Sequence, residues 1–495
     1  MTFGHVPLDR RTLLRLGALG AGSLALTACG GSTAEPTALI SPDGPEVQAA
    51  AARRAGNGRV RTVSLRPTPA TVDLGGVQVA TWTYDGALPG KEIRVQRGDT
   101  IEVTLANELP TQTTVHWHGL ALRNDMDGMP GVTQTAIAAG ATFTYRFVVD
   151  TAGTYWFHPH TGLQLDRGLY APLIVEDPTD PDVDADWVIV LDDWLDGIDG
   201  ATPDSVYASL RKPMGAMHMD GPGMLMGAHS AALGGDAGDV AYPHFLANGR
   251  IADAPPEFSA RPRDKVRIRL INAGADTAFR VALAGHRFSV THADGYPVKP
   301  IDADCLLIGM GERYDVTVTL ADGVFPLVAA AEGKDGLARA LVRTGAGTAP
   351  AADFRPTELT AAPLALDRLV PRGEVELPAR KVDRTLQVRL TGGMKDYNWT
   401  MNGAAFDPGA PLTVRQGERV RLNFRNDTTM WHPMHIHGHT LAVGPNGVRK
   451  DTVSVLPGKT VVTEFDANNP GQWMLHCHNA YHLEAGMMRD LAYRR

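Results

Sequence analysis

Apolar and polar residues alternate in three separate segments of the chain, which run over residues 93–107, 259–272 and 412–426. Alternation with a period of two is typical of a strand that buries one face. Each segment ends in Asn, and an acidic residue lies eight positions earlier. These pairs are Asp99 and Asn107, Asp264 and Asn272, and Glu418 and Asn426. The pattern predicts three equivalent units built on one strand frame.

Short strand-like runs fill each unit and are separated by Gly, Pro, Asn and Asp. The chain has 53 Gly and 34 Pro, and no long helical periodicity competes with the strands. We therefore predict an all-β fold in which each unit is a Greek-key β-sandwich. A length of 495 residues suits about three domains of about 150 residues. The predicted domains are residues 58–178, 179–343 and 384–495, with an Ala/Pro-rich linker at 344–383.

The N-terminus has the features of an export signal. Arg10 and Arg11 precede a short apolar stretch rich in Gly and Ala, too short to favour a permanent membrane span. The twin arginine indicates the export route for folded proteins, and Leu26–Cys29 resembles a bacterial lipobox. We predict a signal at 1–29, lipidation of Cys29 that anchors the protein on the periplasmic side of the membrane, and a flexible tether at 30–57. Plain secretion, with Cys29 incidental, is the alternative.

Charge and cysteine content exclude other classes. The chain has 47 Lys and Arg against 55 Asp and Glu, without a basic run, so we expect no nucleic-acid partner. It has three cysteines, Cys29, Cys305 and Cys477, of which the first lies in the leader. A structural disulfide framework is therefore not expected. We expect a monomer.

The first and third units carry histidines at equivalent places. Nine and eleven positions after the final Asn of the frame, both have a His–x–His pair, whereas the middle unit has apolar residues. In the order of the units, these residues are His116 and His118, Val281 and Leu283, and His435 and His437. In a strand, residues i and i+2 face the same side, so a pair can direct both imidazoles at one centre. We expect ligands from units one and three, with unit two as a spacer.

A second match joins the same two units. His158-Pro159-His160 follows Gly153 at the distance at which His476-Cys477-His478 follows Gly471. Four clusters thus hold ten of the seventeen histidines: His116, His118, His158, His160, His432, His435, His437, His476, His478 and His482. A lone histidine is usually a core residue, but ten in this arrangement indicate metal binding. Imidazole alone leaves copper, zinc, iron and nickel open.

Cys477 decides between these metals. His482 lies five positions after it and Met487 five further, so the segment offers a thiolate, an imidazole and a thioether. With His432 as the second imidazole, this is the His₂Cys set with a weak axial Met that binds copper in blue electron-transfer sites.

From about residue 60 to 495 the chain resembles the multicopper oxidases, which include laccases, ascorbate oxidase-like proteins and bacterial copper-tolerance oxidases. The resemblance rests on four motifs in order: residues 116–119 (HWHG), 158–160 (HPH), 432–438 (HPMHIHG) and 476–487 (HCHNAYHLEAGM). It implies cupredoxin-like domains, four copper ions, and one-electron oxidation of a substrate coupled to the reduction of O₂ to water.

The resemblance also implies a role for each ligand. The type 1 (blue) copper takes His432, Cys477, His482 and the axial Met487. The type 2 copper takes His116 and His435. The type 3 pair takes His118, His158, His160, His437, His476 and His478. The last three copper ions would form a trinuclear cluster between units one and three, joined to the blue site through Cys477.

Reduction of O₂ also needs protons. Asp127, eleven residues after His116, resembles the proton-donating Asp of the family, although it could be only a turn residue in the run 124–128. Many bacterial members carry an acid directly after the last blue-site His. Here that position is Leu483, so the next residue, Glu484, is a weak candidate.

Residues 213–229 form a Met-rich, Gly-rich stretch. Its methionines are Met214, Met217, Met219, Met224 and Met226. Thioethers select Cu(I), and the glycines argue against a regular core stripe. The stretch resembles, in composition, the Met-rich segments of cuprous oxidases. Met430 matches a substrate-copper Met of that subgroup, and Asp427 is adjacent to the position of the accompanying acid.

These features predict a multicopper oxidase whose reducing substrate is Cu(I), serving copper tolerance outside the cytoplasm. A laccase-type oxidase of phenols or aromatic amines is the close alternative. An alternative of another class is a non-catalytic cupredoxin scaffold or a copper-storage protein.

Overall fold

The computed structural model describes residues 38–212 and 223–495, and strands dominate them, which confirms the all-β prediction. The α-helices of the described residues are α1 (Pro45–Ala51), α2 (Pro203–Leu210) and α3 (Ala480–Glu484). Short 3-10 helices include Asn124–Met126, Gln164–Arg167, Thr357–Thr360, Leu366–Arg368 and Gly373–Val375. None of the described helices has the length and hydropathy needed to cross a membrane.

The strands fall into three successive groups. The first has β1 (Val60–Leu65), β2 (Pro67–Asp73), β3 (Gln78–Tyr84), β4 (Ile93–Gln96), β5 (Thr100–Ala106), β6 (His116–His118), β7 (Thr142–Val148), β8 (Gly153–His158) and β9 (Ala171–Glu176). The second has β10 (Ala185–Trp194), β11 (His229–Ser230), β12 (Gly235–Asp236), β13 (His244–Ala247), β14 (Glu257–Ser259), β15 (Lys265–Asn272), β16 (Phe279–Leu283), β17 (Phe288–Ala293), β18 (Tyr296–Ala303), β19 (Leu306–Ile308), β20 (Arg313–Thr319), β21 (Val324–Ala331) and β22 (Leu337–Arg343). The third has β23 (Arg384–Gly393), β24 (Asn398–Met401), β25 (Leu412–Arg415), β26 (Arg419–Asn426), β27 (His432–Ile436), β28 (Leu441–Val443), β29 (Val448–Lys450), β30 (Thr452–Val455), β31 (Thr460–Asp466), β32 (Gln472–Cys477) and β33 (Met488–Arg494).

The repeated sequence frame corresponds to a repeated strand arrangement. The three frame strands are β5, β15 and β26. Each pairs parallel with the strand that opens its group and antiparallel with a later one, in the orders β1-β5-β7, β10-β15-β20 and β23-β26-β31. The final Asn of each frame is buried, and its amide donates to two carbonyls, one of them in the loop that follows the frame strand. The recurring Asn thus holds the loop that follows each frame strand.

The histidine-bearing strands belong to the second sheet of groups one and three. These sheets have the orders β4-β9-β8-β6 and β25-β33-β32-β27-β30. Because the strands pair antiparallel, His116 lies opposite His158, and His435 lies opposite His476. Residues 38–495 pack as one compact body, so the domain boundaries stay predictions. The predicted linker 344–383 holds short 3-10 helices, and its Leu359 and Leu369 are buried.

The prediction of a flexible tether is wrong for residues 38–57; the rest of it, like the signal segment, lies outside the described residues. Ile40 and Val47 are buried, and the Ile40 amide donates to the Tyr493 carbonyl. Arg54 binds the Asp150 carboxylate of group one and the Asn469 side chain of group three. Composition indicated a linker, but these apolar side chains and Arg54 find partners on the folded body.

Candidate metal centre

One buried sulfur and two imidazoles converge inside the third group of strands. His432 begins β27, Cys477 ends β32, and His482 lies on α3. The Cys477 Sγ is 3.7 Å from the Nδ1 of each histidine, and the two Nδ1 atoms are 3.1 Å apart. Metal bonds of about 2.0 Å to nitrogen and about 2.3 Å to sulfur place such donors 3–4 Å apart. The three residues therefore fit one metal ion.

The other nitrogen of each imidazole is held by the protein. The Nε2 of His432 is 2.9 Å from the Thr428 hydroxyl, and the Nε2 of His482 is 3.0 Å from an oxygen of the Asp239 carboxylate. Such partners fix the ring and leave Nδ1 free for a metal. The Asn479 side chain caps α3 by accepting from the His482 amide, which sets the position of that helix.

Without a metal, the surroundings of the sulfur favour the neutral thiol. Burial raises the pKa of the Cys477 thiol well above its usual range, so only a metal would keep it as a thiolate. Met487 is also buried, and its carbonyl accepts a hydrogen bond from the Cys477 amide, at 3.0 Å. This bond places the Met487 backbone beside that of Cys477, and the axial role of Met487 stays a prediction.

Eight further histidines meet between groups one and three, four from each. The eight are His116, His118, His158, His160, His435, His437, His476 and His478. Their donor atoms form four overlapping groups of three, and within each group the atoms lie within 4.8 Å of one another. The Nε2 atoms of His116, His158, His160 and His435 are buried and without a hydrogen-bond partner among the described residues. Buried polar atoms are rarely left unpaired, so this donor set fits several metal ions.

Backbone carbonyls hold the Nδ1 atoms of four of these rings. The acceptors are Asp127 for His116, Asp451 for His435, Pro159 for His158 and Cys477 for His476, at 2.8–3.0 Å. A ring that donates from Nδ1 offers Nε2 to a metal. Burial, followed by neighbouring imidazoles, holds the pKa of His118, His160 and His437 well below the usual range. The rings are therefore neutral, the form that binds metal.

Asp127 lies where the sequence suggested. It is fully buried; one carboxylate oxygen is 2.8 Å from the Nδ1 of His437, and the other is 3.2 Å from the Nδ1 of His116. It also ends the 3-10 helix Asn124–Met126, so the turn interpretation holds as well. The carboxylate joins a histidine of group one to a histidine of group three.

Glu484 lies elsewhere. It is exposed at the end of α3, and in the described parts of the chain no hydrogen bond or ion pair connects it to a cluster histidine. The weak proton-relay prediction for Glu484 is therefore not supported by its position.

Two carboxylates at the sites were missed by the sequence reasoning. Asp451 lies 3.1 Å from the Nε2 of His118 and 3.4 Å from the Nδ1 of His435. Asp239, from group two, contacts His482. Asp451 follows Arg449 and Lys450 in a charged run that suggests a surface turn, and Asp239 lies in a Gly/Asp-rich loop, so neither carried a local signal.

The candidate ligands for a substrate copper differ in burial and in their partners. Met430 is buried in the core. Asp427 is bound by the guanidinium groups of Arg389, at 2.6 Å, and Arg425, at 2.9 Å, so its carboxylate already has two cationic partners, and its role as a copper ligand stays a prediction. Met224 and Met226 are described, and Met226 is 59% exposed. The other methionines of the stretch, Met214, Met217 and Met219, lie outside the described residues.

A strand-rich chain with a His₂Cys site, linked through the Cys477 backbone to an eight-histidine site, has the build of a copper-dependent oxidoreductase. Three family models, each described as multicopper oxidase, match residues 68–180, 185–347 and 380–495. The chain is 50% identical to the multicopper oxidase MmcO of Mycobacterium tuberculosis, over 98% of this chain and 97% of that protein. The chain belongs to the multicopper oxidase family and is a copper-dependent oxidoreductase.

More distant relatives differ in their names. Copper resistance protein A of Escherichia coli is 27% identical, over 85% of this chain and 90% of that protein. Laccase-1 of Botryotinia fuckeliana is 29% identical, over 84% and 79% respectively. Among solved structures, a laccase from Botrytis aclada is 25% identical with a TM-score of 0.72, over 91% and 90% of the two chains. Fet3p, described as a multicopper oxidase that functions in iron import, has the same fold, with a TM-score of 0.74 and 22% identity over 88% of this chain and 90% of that chain.

Proposed function

We propose that the chain binds four copper ions and couples the one-electron oxidation of Cu(I) to the reduction of O₂ to water. The balance is four Cu(I), one O₂ and four protons in, and four Cu(II) and two waters out. His432, Cys477, His482 and Met487 would hold the type 1 copper, and His116 and His435 the type 2 copper. His118, His158, His160, His437, His476 and His478 would hold the type 3 pair. Bound copper supplies the redox chemistry at these sites.

Separate residues of the chain support electron transfer, proton supply and the exclusion of water. Cys477 lies between His476 and His478 in the backbone, so one segment connects the blue site to the cluster. Asp127 is buried against His116 and His437, where its carboxyl can exchange protons with the cluster. Its role as proton donor is part of the proposal. The burial of all eight cluster histidines keeps bulk water away from the reacting oxygen.

The observation that favours Cu(I) is the position of the Met-rich stretch. The Leu225 amide donates to the Asp239 carbonyl, at 2.8 Å, and the Ala241 amide donates to the Gly223 carbonyl, at 3.1 Å. The Asp239 side chain contacts His482. Asp239 therefore connects the end of the Met-rich stretch, through its backbone, to the blue-site ligand His482, through its side chain. Thioethers select Cu(I), so an exposed Met226, the residue after Leu225, supports a cuprous substrate.

A comparison of two substrates tests this. Replacing Met214, Met217, Met219, Met224 and Met226 by Leu keeps the size of the side chains and removes the thioethers. We expect turnover of Cu(I) to fall at least about tenfold, since several soft ligands are lost. Turnover of a phenol by the same variant is the internal control and should stay within about twofold. Equal loss of both activities, or of neither, would contradict the cuprous role of the stretch.

The laccase-type alternative is favoured by the relatives named laccase. It predicts that phenols or aromatic amines are oxidised faster than Cu(I) by the unmodified protein. O₂ uptake, measured with Cu(I) and with a panel of phenols at matched concentrations, decides between the two. Metal analysis on the same preparation, with about four copper ions per chain expected, checks the proposed set of sites.

Export and lipidation also remain proposals. Arg10, Arg11 and Cys29 carry them, and these residues lie outside the described part of the chain. Mass spectrometry of protein purified from membranes should find an acylated N-terminal Cys29. Cys29→Ser should move the protein to the soluble fraction, and a Cys29→Ser protein that stays in the membrane fraction argues against the lipid anchor.

A further inference from the structure

Among the described residues, group two contributes no member to either metal site, yet one of its side chains reaches the eight-histidine site. Arg313, on β20, is fully buried. Its two terminal nitrogens donate to the two oxygens of the Asp451 carboxylate, each at 2.7 Å. Asp451 in turn lies against His118 and His435. This side chain is therefore separated from two cluster histidines by a single carboxylate.

All five N–H groups of the guanidinium are used. Besides Asp451, they donate to the carbonyls of Thr154 at 3.0 Å, Asp294 at 3.0 Å and Gly311 at 3.2 Å. Thr154 belongs to group one, Asp294 and Gly311 to group two, and Asp451 to group three. A planar fork with five donors suits this site, whereas an ammonium group has only three donors.

The carboxylate is held from a second side as well. The amides of Asp451 and Thr452 donate to an oxygen of the Asp294 side chain, at 3.2 and 3.1 Å. The other Asp294 oxygen is 3.1 Å from the Lys450 ammonium. Because Asp294 is also on group two, both the side chain and the backbone of residue 451 are positioned by that group.

The chain packs tightly around this contact. A Cβ on Gly119, the residue after His118, would lie 2.4 Å from the Arg313 Nη2 and 2.7 Å from an Asp451 oxygen. A Cβ on Gly311 would lie 2.8 Å from the His478 ring and 3.0 Å from the His118 ring. The two glycines thus allow the guanidinium and the backbone of group two to approach the cluster.

We infer that Arg313 is a positioning residue for the cluster: by clamping Asp451 it fixes His118 and His435, and so determines whether the type 2 site binds copper. The inference rests on the proposed copper sites. It assigns to group two a role in forming the cluster, in addition to spacing groups one and three. Outer partners of metal ligands typically contribute 10- to 100-fold to metal affinity.

The test is Arg313→Lys, which keeps the charge and loses the two-pronged contact. We expect the affinity of the type 2 site for copper to fall about 10- to 100-fold, measured from its electron paramagnetic resonance signal during copper titration. The absorption band of the blue site should be unchanged, because its ligands lie within group three. Thermal unfolding of the copper-free protein shows whether the variant is folded.

Arg269→Lys is the matched control. Arg269 is also buried in group two, donates to the Thr154 hydroxyl at 2.9 Å and binds Asp186 with two bonds of 2.7 Å. Among the described residues it contacts no cluster histidine. The Arg269→Lys variant should retain the type 2 copper signal. If both Lys variants lose the signal equally, the effect is a general loosening of the interface and the inference is overturned.

Two further outcomes are decisive. An affinity of Arg313→Lys within twofold of the unmodified protein overturns the inference. If Arg313→Lys does not fold, Asp451→Asn is measured in its place. A retained type 2 signal in Asp451→Asn would also overturn the inference. A missing type 2 signal in the unmodified, copper-loaded protein would instead refute the proposed copper sites, so the two failures are distinguishable.

Discussion

The two metal sites are built in opposite ways. The His432, Cys477 and His482 site takes every ligand from group three, whereas the eight-histidine site takes four from group one and four from group three. A site within one sandwich needs only that sandwich to fold. A site between two sandwiches also needs the interface, and here the interface includes Arg313 of group two. We therefore expect the blue site to tolerate changes at the interface between the groups of strands and the eight-histidine site to be sensitive to them.

Strand β32 shows how closely the two sites are joined. Trp473, Leu475 and Cys477 belong to the core of group three, so the alternating residue His476 faces the other way, toward group one. Alternation along a single strand directs the sulfur inward and the imidazole outward. The sites can thus be perturbed separately although their ligands are chain neighbours.

Removing the sulfur has the largest expected effect. Cys477→Ser should abolish the red absorption band and reduce O₂ consumption to background, because in the described part of the chain no other cysteine belongs to the blue site. The type 2 resonance signal should remain, since its ligands are untouched. Cys305→Ser, at the other buried cysteine of the described chain, is the control and should behave like the unmodified protein. Undiminished O₂ consumption by Cys477→Ser would refute the electron path.

The outward face of the same sheet carries an unusual acid. Asp490 lies opposite Met474 on β33, is 2% exposed, and has one oxygen without a partner among the described residues. Burial raises the pKa of Asp490 to about 7, opposed by Arg489. A raised pKa means that the folded state favours the protonated acid. This contribution to stability is fully present below about pH 4 and is lost as the pH rises to about 7.

Asp490→Asn removes this titration. At pH 8 the variant should have a free energy of unfolding up to about 4 kcal/mol higher than the unmodified protein, and at pH 4 the two should be equal. Guanidinium unfolding at both pH values measures this. A difference that does not change with pH would contradict the titration of Asp490. The result would sharpen the contrast between the two faces of this sheet, because the Asp490 carboxylate lies on the outward face, which also carries His476.

The interface can be weakened without touching a ligand. The buried amide of Asn469 donates to the carbonyls of Leu122 in group one and Gly438 in group three, both at 3.0 Å. Asn469→Ala leaves the Gly438 carbonyl unpaired and the Leu122 carbonyl with only the longer bond from Arg54, at 3.4 Å, at a cost of about 1–3 kcal/mol. We expect copper to leave the cluster at a lower denaturant concentration, while the blue band persists to the concentration seen in the unmodified protein.

Asn446→Ala is the matched control for that prediction, because the bonds that the Asn446 amide donates within the described residues go to the carbonyls of Asp367 and Leu369 in the predicted linker. It should leave the order of copper loss unchanged. Simultaneous loss of both copper signals in Asn469→Ala would show that the two sites depend equally on the interface.

The smallest expected effect concerns the carboxylate of group two at the blue site. Asp239→Asn removes the negative charge beside the Nε2 of His482 and so makes oxidised copper less stable. We expect the reduction potential to rise by about 60 mV, which corresponds to a tenfold change in a one-electron equilibrium. The blue band should stay. Asp204→Asn, whose side chain is 68% exposed, is the control in a potentiometric titration. An unchanged potential would mean that Asp239 only orients the ring.

The sequence alone determined the repeated frame, the all-β class and the residues able to bind metal. These features are local, because alternation, His–x–His spacing and the run from His476 to Met487 each depend on neighbours in the chain. Reasoning from local sequence features failed for residues 38–57, because this segment has a linker-like composition but is ordered by contacts with Tyr493 and Asn469.

Only the tertiary structure decided which distant groups complete the sites. Asp451 and Arg313 are 138 positions apart, and Asp239 and His482 are 243 apart. No periodicity connects such pairs, since their contacts arise from the packing of one sandwich against another. For the same reason Asp427, plausible by position in the chain, is occupied by Arg389 and Arg425 in the folded protein. Ligands that share a strand can be predicted from sequence spacing, whereas partners brought together across an interface cannot.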